Sequence, residues 1–322
     1  MPMDSTVTAP RRTTGTRAWL RDNGVYAAIA VLVAYNLAFT TNFATVANLN
    51  TQLVQVAPVL IVALGMAMVI GTEGVDLSVG SVMAIAAAIL PLYLGYGILP
   101  AVGLALVAGA LCGLLNGTLV AVVGIQPIVA TLALLVGGRG LALVFADGQL
   151  KDIRNAELLD LGSAKVLGIP VVVWIAALLA ALGWLLVRYT TFGRQLVAVG
   201  GNRSASALAG LPVRRVLMIT YVLSGVLAAI AGIVATARLT ASDPSAIGNL
   251  YELSAITAVV VGGTPLSGGR VRILGTVAGA LLMQMITATL IKHNLPDSTA
   301  QIVQAAIIVV AVYLQRTRAG GR

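Results

Sequence analysis

Ten apolar runs, most of them close to the length that crosses a bilayer, constrain this chain more than any other feature. They lie near residues 25–41, 52–72, 78–96, 98–122, 128–146, 170–188, 213–235, 251–263, 273–291 and 298–314. A membrane helix needs about 20 mainly apolar residues, and only the eighth run is clearly short. Charged residues make up 10% of the 322 positions, whereas soluble domains carry roughly 25%. A chain with so little polar surface does not dissolve. The expected fold class is all-α polytopic membrane protein with about ten transmembrane helices. It divides into an N-terminal tail over 1–24, one membrane domain over 25–314 and a C-terminal tail over 315–322. The stretch 43–51 reads as an interfacial or external connector.

Charge sets the orientation. A net charge of +9 in a soluble protein would suggest nucleic-acid binding. Here the 17 Arg and 3 Lys lie mostly between and beyond the apolar runs, where they act as a topology signal. With ten spans and a cytoplasmic start, fourteen arginines fall inside, from Arg11 to Arg322. Five bases fall outside (Lys151, Arg154, Lys165, Arg238 and Lys292), and Arg139 stays within a span. Both termini are expected to be cytoplasmic. The start, where Arg11, Arg12, Arg17 and Arg21 lead into a long apolar run, shows no cleavable signal pattern. The segment 147–169 is the longest polar connection and is external, with four acids and three bases. It reads either as a solvated loop or as a docking surface for an external partner.

The segment 189–212 differs from an ordinary reversal. It runs from Phe192-Gly193-Arg194 through Gly200, Gly201, Asn202, Arg203, Ser204 and Ala205 to Gly210. Its Ala, Ser and Leu content suits a small helix, opened by Asn202 or Ser204 as N-cap and closed by Gly210. A small-residue helix on the cytoplasmic side is a natural handle for another protein.

Few residues carry chemistry. Glu73 and Asp76 are the acids of the first five spans. At membrane depth each would cost at least about 3 kcal/mol on insertion scales, which demands a partner or a function; at the cytoplasmic surface they would simply be solvated. Asp76, two residues before Ser78 and a helix, also reads as a capping or gate residue. Arg139, among Gly137, Gly138 and Gly140, either lines the path or pairs with an acid or free carbonyls. Glu252 opens the short eighth run, where the helix dipole favours an acid. Asn116, Gln126, Gln284, Gln301 and Gln304 are neutral amides suited to hydroxyl-rich ligands or to joining helices. The turns Gly74–Gly80 and Gly263–Gly269 share four of seven letters, which is compatible with internal duplication. Cys112 is alone and forms no internal disulfide. There is no G-x-x-x-x-G-K-[ST], no G-x-S-x-G and one histidine, His293, so the chain is not expected to hold ATP, a metal or a catalytic centre.

Four blocks together resemble a known family. They are Gly74-Val-Asp-Leu-Ser-Val-Gly80, Gln126-Pro-Ile-Val-Ala-Thr-Leu132 with Arg139-Gly140, Gly193-Arg194 through Ala198-Val-Gly-Gly-Asn202 to Gly210, and Glu252-Leu253 through Gly262-Gly263 to Gly268-Gly269 and Gly275-Thr276. In this order the chain resembles the permease subunit of bacterial sugar ABC importers of the ribose, xylose, arabinose and galactofuranose group. Ile125-Gln126-Pro127 and Leu223-Ser224-Gly225 are most similar to the galactofuranose-type members. Val75, Glu73, Leu211-Pro212 and Pro265 depart from the family's usual wording.

The resemblance implies a type II importer fold in the bacterial inner membrane. Two permeases, identical or different, would sit over two cytoplasmic ABC ATPases that hold ATP and Mg, and an extracytoplasmic binding protein would deliver the sugar. The match implies ATPase coupling for Gly200, Gly201, Asn202, Arg203, Ser204, Ala205 and Gly210. Asp76, Ser78, Asn116, Gln126, Arg139, Glu252 and Gln284 remain candidates for the translocation path or gate. Other cargo (branched-chain amino acids or nucleosides) and an ATPase-independent channel or carrier are the alternative readings.

Overall fold

The computed structural model describes residues 15–296, 298–307 and 309; the expected tail over 315–322 and residues 1–14 lie outside them. The chain runs α1 (Gly15–Phe39), α2 (Val46–Gly71), α3 (Val79–Tyr93), α4 (Ile98–Thr118), α5 (Pro127–Phe145), β1 (Lys151–Asp152), α6 (Ala156–Ser163), β2 (Lys165–Val166), β3 (Ile169–Pro170), α7 (Val171–Tyr189), α8 (Thr191–Gly201), α9 (Arg203–Leu208), α10 (Val213–Leu239), β4 (Ala241–Ser242), α11 (Tyr251–Val261) and α12 (Ile273–Lys292). A last helix covers 298–307. Each apolar run is largely helical over its described residues, and among these seven helices are long and apolar enough to span a membrane.

Two boundaries differ from expectation. α1 starts at Gly15, inside the segment read as a tail, and α2 starts at Val46, inside the segment read as a connector. The Thr45 side chain caps α2 through the Asn48 amide, a polar start that hydropathy does not register.

Burial separates a core from a shell. Of their most apolar windows, 78% of α2, 67% of α3 and 61% of α10 are inside the protein, against 22% of α4 and α5 and 11% of α7. Lipid is as apolar as leucine, so close backbone approach rather than hydrophobicity decides which helices pack. Gly109, Gly113 and Gly117, spaced by four on α4, lie against Gly225, Tyr221 and Met218 of α10. A Cβ at Gly113 would collide with the Tyr221 carbonyl.

Two prolines inside core helices are compensated from one short segment. A helical proline has no N–H for the carbonyl four residues back, so Pro58 frees Val54 and Pro91 frees Ala87. Arg238 Nη1 donates to the Val54 carbonyl at 3.4 Å. Ser242 Oγ donates to the Ala87 carbonyl at 2.7 Å. Lipid offers no water to do this, so side chains must.

The outer segment 147–169 is an ordered cap rather than a solvated loop. β1 pairs antiparallel with β4, Lys151 opposite Ser242, and β2 pairs with β3. Leu158 of α6 is fully buried, and Gly162 lies against the Ala237 carbonyl of α10.

The two look-alike turns do share a backbone form, one residue out of the register in which their letters match. Glu73 and Gly263 are left-handed, with φ of 64° and 91°. The following amides, Gly74 and Thr264, bond back to Val69 and Val259. This is the common glycine-type helix ending. Asp147 and Gly148 close α5 the same way, so the shared form makes no case for duplication.

Candidate functional site

The turn between α2 and α3 separates its two acids. Glu73 is exposed, whereas Asp76 is 1% exposed. Asp76 Oδ1 accepts from the Ser78 amide at 3.1 Å and from Ser78 Oγ at 2.6 Å, while Oδ2 accepts from Ser224 Oγ of α10 at 2.7 Å. Asn116 of α4 donates through Nδ2 to Ser78 Oγ at 2.8 Å. Thr131 of α5 reaches the Val75 carbonyl. Three of the candidate residues, Asp76, Ser78 and Asn116, therefore form one buried knot that ties α3, α4 and α10 together. A carboxylate with several donors tolerates burial that a bare one does not. Asp76 is the knot's centre and has no face toward an open path. Asn116 Oδ1 and the Tyr221 hydroxyl, close to Gly74, are buried there without a partner.

A second group lies around the 243–250 segment that leads into α11. α11 has 11 residues, about 16 Å of helix, and spans only half of a hydrocarbon core of roughly 30 Å. The preceding segment is a run of turns, with the Ala246 and Ile247 amides bonding to the Asp243 carbonyl and the Asn249 amide to that of Ala246. Arg139 Nη1 donates to the carbonyls of Pro244 and Ile247, both at 2.7 Å. Irregular backbone in a membrane protein needs its polar groups satisfied from within the protein, and Arg139 satisfies two of this segment's carbonyls. Of the readings open for Arg139, the carbonyl clamp is the one seen.

Within this segment Gly248, with φ of 78°, lies backbone to backbone with Gly80, and neither position has room for a Cβ. Glu252 is half-buried beside them, and its Oε2 is buried with no partner. Asp243, at the outer entry, accepts from the Ser245 hydroxyl and the amides of Ser245 and Ala246. The Ser245 hydroxyl holds its carboxyl below the usual carboxylate range, so it stays ionised at physiological pH.

Gln126 and Gln284 stand apart from both groups. Gln126 is exposed at the start of α5 and its side chain makes no cap. Gln284 of α12 donates to Gln55 Oε1 at 2.7 Å and to Gln52 Oε1 at 3.3 Å on α2, an amide lock between helices.

The segment 189–212 holds two helices where the sequence suggested one. α8 is capped by Thr190, whose Oγ1 accepts from the Gly193 amide. Asn202 caps α9, with Oδ1 accepting from the Ala205 amide at 2.9 Å. Gly210, with φ of 79°, follows the end of α9. Gly201, Asn202, Ser204 and Ala205 are exposed.

Two of the expected handle residues face the other way. Gly200 is buried against the Gly71 carbonyl and the Gly269 amide. Arg203 points inward and donates through Nη2 to the Thr72 carbonyl at 2.9 Å. Leu208, at the end of α9, is 91% exposed. Residue order marks the Leu of this small helix but not the direction it faces, which depends on how α9 docks. Ser224, the partner of Asp76, was likewise hidden in an apolar run.

These features align with known proteins over nearly the whole chain. The family model described as the branched-chain amino acid transport system / permease component matches residues 48–312. The ribose import permease protein RbsC of Escherichia coli K12 is 37% identical over 320 residues, covering 98% of this chain and 99% of that one. The galactofuranose transporter permease protein YtfT of the same strain is 44% identical over 81% of this chain and 77% of its own. The fructose import permease protein FruF of Bifidobacterium longum is 38% identical over 83% and 77%. No solved structure matches. With its membrane-spanning helices, the chain belongs to the family of branched-chain amino acid transport system permease components, as a transport subunit and not an enzyme.

Proposed function

We propose that the chain is the permease of an ATP-driven importer for a neutral monosaccharide in the bacterial inner membrane. Its relatives named above are import permeases for ribose, galactofuranose and fructose. A cytoplasmic ABC ATPase would hold ATP and Mg, an extracytoplasmic binding protein would supply the sugar, and a second permease chain would pack alongside. The exposed shell helices α4, α5 and α7 leave wide faces for that second chain and for lipid.

One observation carries the reading. α9 presents Leu208 outward and, through Arg203, grips the carbonyl of Thr72. Four residues on, Asp76 holds α3 and α10 and, through Ser78, α4. A push on α9 by a closing ATPase dimer therefore reaches the packed core through one short, bonded turn. Packed cores switch between discrete arrangements rather than deform smoothly, which suits alternating access.

The charges favour neutral cargo. A zwitterion needs two compensating charges, yet Asp76 uses both oxygens internally and Arg139 holds two carbonyls. Glu252 Oε2, on the half-buried side chain beside Gly80 and Gly248, is an acceptor that a hydroxyl donor would satisfy. The test is the permease reconstituted with its own ATPase and binding protein in proteoliposomes. Uptake and ATP hydrolysis are expected to rise with pentose, furanose or ketose sugars. Stimulation by leucine or isoleucine and by none of the sugars would sink the proposal, as would full uptake without any ATPase.

A further inference from the structure

A cavity of about 530 Å³ opens between the start of α2, the end of α6, the β2–β3 hairpin and the end of α10. The other end of α2, at Gly71, meets Gly200 of α8, so the cavity lies at the far end of the bundle from the 189–212 segment. Its volume falls within the roughly 300–1,000 Å³ of small-ligand sites. Asn50, Thr51, Gln55, Ser163, Lys165 and Arg238 supply its polar wall, and no Asp or Glu is among its described lining residues. None of them belongs to the Asp76 knot or to the turns that Arg139 holds.

Two cations share this wall. Lys165 is exposed and Arg238 half-buried, and among the described residues neither forms an ion pair. Arg238 commits one N–H, to the Val54 carbonyl, out of the five that a guanidinium carries. The fold also holds Lys165 in place. Its residue pairs with Pro170 across the hairpin, and Trp174 Nε1 donates to the carbonyl of the next residue, Val166, at 3.2 Å.

The neutral side chains are oriented in the same way, each by one bond to protein. Asn50 Nδ2 donates to the Gly168 carbonyl at 3.1 Å, and Gln55 Oε1 accepts from Gln284 at 2.7 Å. Thr51 Oγ1 donates to the Ala47 carbonyl and Ser163 Oγ to that of Leu159. Asn50 Oδ1, Gln55 Nε2 and the hydroxyl lone pairs of Thr51 and Ser163 keep capacity for a ligand. The wall thus offers two positive charges beside amides and hydroxyls that are already aligned. Charge-assisted bonds to an anionic group suit the first, and sugar hydroxyls, which donate and accept, suit the second.

We infer that this cavity is a binding site for a monosaccharide bearing a carboxylate, a sugar acid. Lys165 and Arg238 hold the carboxylate, and Asn50, Gln55 and Ser163 hold ring hydroxyls. Such a ligand joins α2, the hairpin and α10 where Arg238 already props the carbonyl freed by Pro58. The site is separate from the neutral cargo proposed above, and its test needs neither ATPase nor binding protein.

The experiment is saturation-transfer NMR on the full chain in detergent micelles, titrated with galacturonate, galactose, acetate or inorganic phosphate. Galacturonate is expected to bind saturably, with galactose and acetate each weaker by about tenfold or more, as befits loss of a charged or a hydroxyl contact set. Arg238→Gln should weaken galacturonate about tenfold. Lys165→Gln should weaken it about three- to fivefold, the range of an exposed charge pair, whereas Lys165→Arg should keep the affinity. Lys165 is exposed, so its two variants keep the test open if Arg238→Gln disturbs α2. Equal binding of galactose and galacturonate, or undiminished binding by Lys165→Gln, would overturn the proposal. Acetate or phosphate displacing galacturonate at equal concentration would also overturn it, because the cavity would then hold a simple anion and no sugar.

Discussion

Removing the Ser242 hydroxyl should destabilise the bundle, and removing Pro91 at the same time should cancel that loss. Ser242 is 0% exposed, and its Oγ is 2.7 Å from the Ala87 carbonyl, itself in a fully buried residue. That carbonyl has no helical donor because residue 91 is proline. Ser242→Ala leaves it unsatisfied, at a cost of about 1–3 kcal/mol, roughly a 5- to 150-fold shift in the unfolding constant. Pro91→Ala restores an N–H four residues on. In that background the carbonyl has a helical partner again, so Ser242→Ala should cost under about 0.5 kcal/mol, as for changes that remove no needed contact. The four proteins of this cycle are compared by reversible unfolding in mixed micelles, with helix content followed by circular dichroism. The coupling between the two sites should equal most of the single-mutant loss. An equal loss from Ser242→Ala in both backgrounds would refute the reasoning, because the hydroxyl would then not be standing in for the missing amide.

Three further outcomes follow from the same geometry. Leu208→Ala should leave folding intact, since the side chain is 91% exposed, yet weaken ATPase binding roughly 10- to 100-fold as about 1.5–3 kcal/mol of apolar burial is lost; Leu167→Ala, 88% exposed on the outer hairpin, should leave that affinity unchanged. Arg203→Met should retain the ATPase on co-purification but lower the ratio of sugar-stimulated to basal hydrolysis several-fold, because the link to Thr72 is cut; an unchanged ratio would place coupling elsewhere. Glu73→Gly should stabilise the protein by about 0.5–1 kcal/mol, read in the same micelle unfolding, because Glu73 is held at φ of 64° where glycine carries no penalty.

Some of the machinery could be read from residue order and some could not. Asn202 as the cap of α9 was visible because capping is local: the acceptor and the Ala205 amide are three residues apart. Pro58 and Pro91 announced two orphan carbonyls for the same reason, but their donors, Arg238 and Ser242, are 184 and 155 residues from those carbonyls. Arg203 looked like part of a handle because a positive residue in a polar loop normally faces water. Its inward turn depends on where Thr72 lies, 131 residues away. The four-residue glycine spacing of Gly109, Gly113 and Gly117 was a legible signal of close helix contact that hydropathy alone passed over.

The sequence by itself determined the all-α membrane class and the place of most of the apolar helices. These follow from run length and apolar composition, which act on each segment separately as it meets lipid and water. Only the tertiary structure decided that Asp76 is a knot and Glu73 a surface acid, that Arg139 clamps the turns before α11, and that Leu208 rather than Arg203 faces outward. Those outcomes depend on helix rotation and on partners far away in the chain. A buried polar group in lipid is defined by what it bonds to, and the identity of that partner is set by packing.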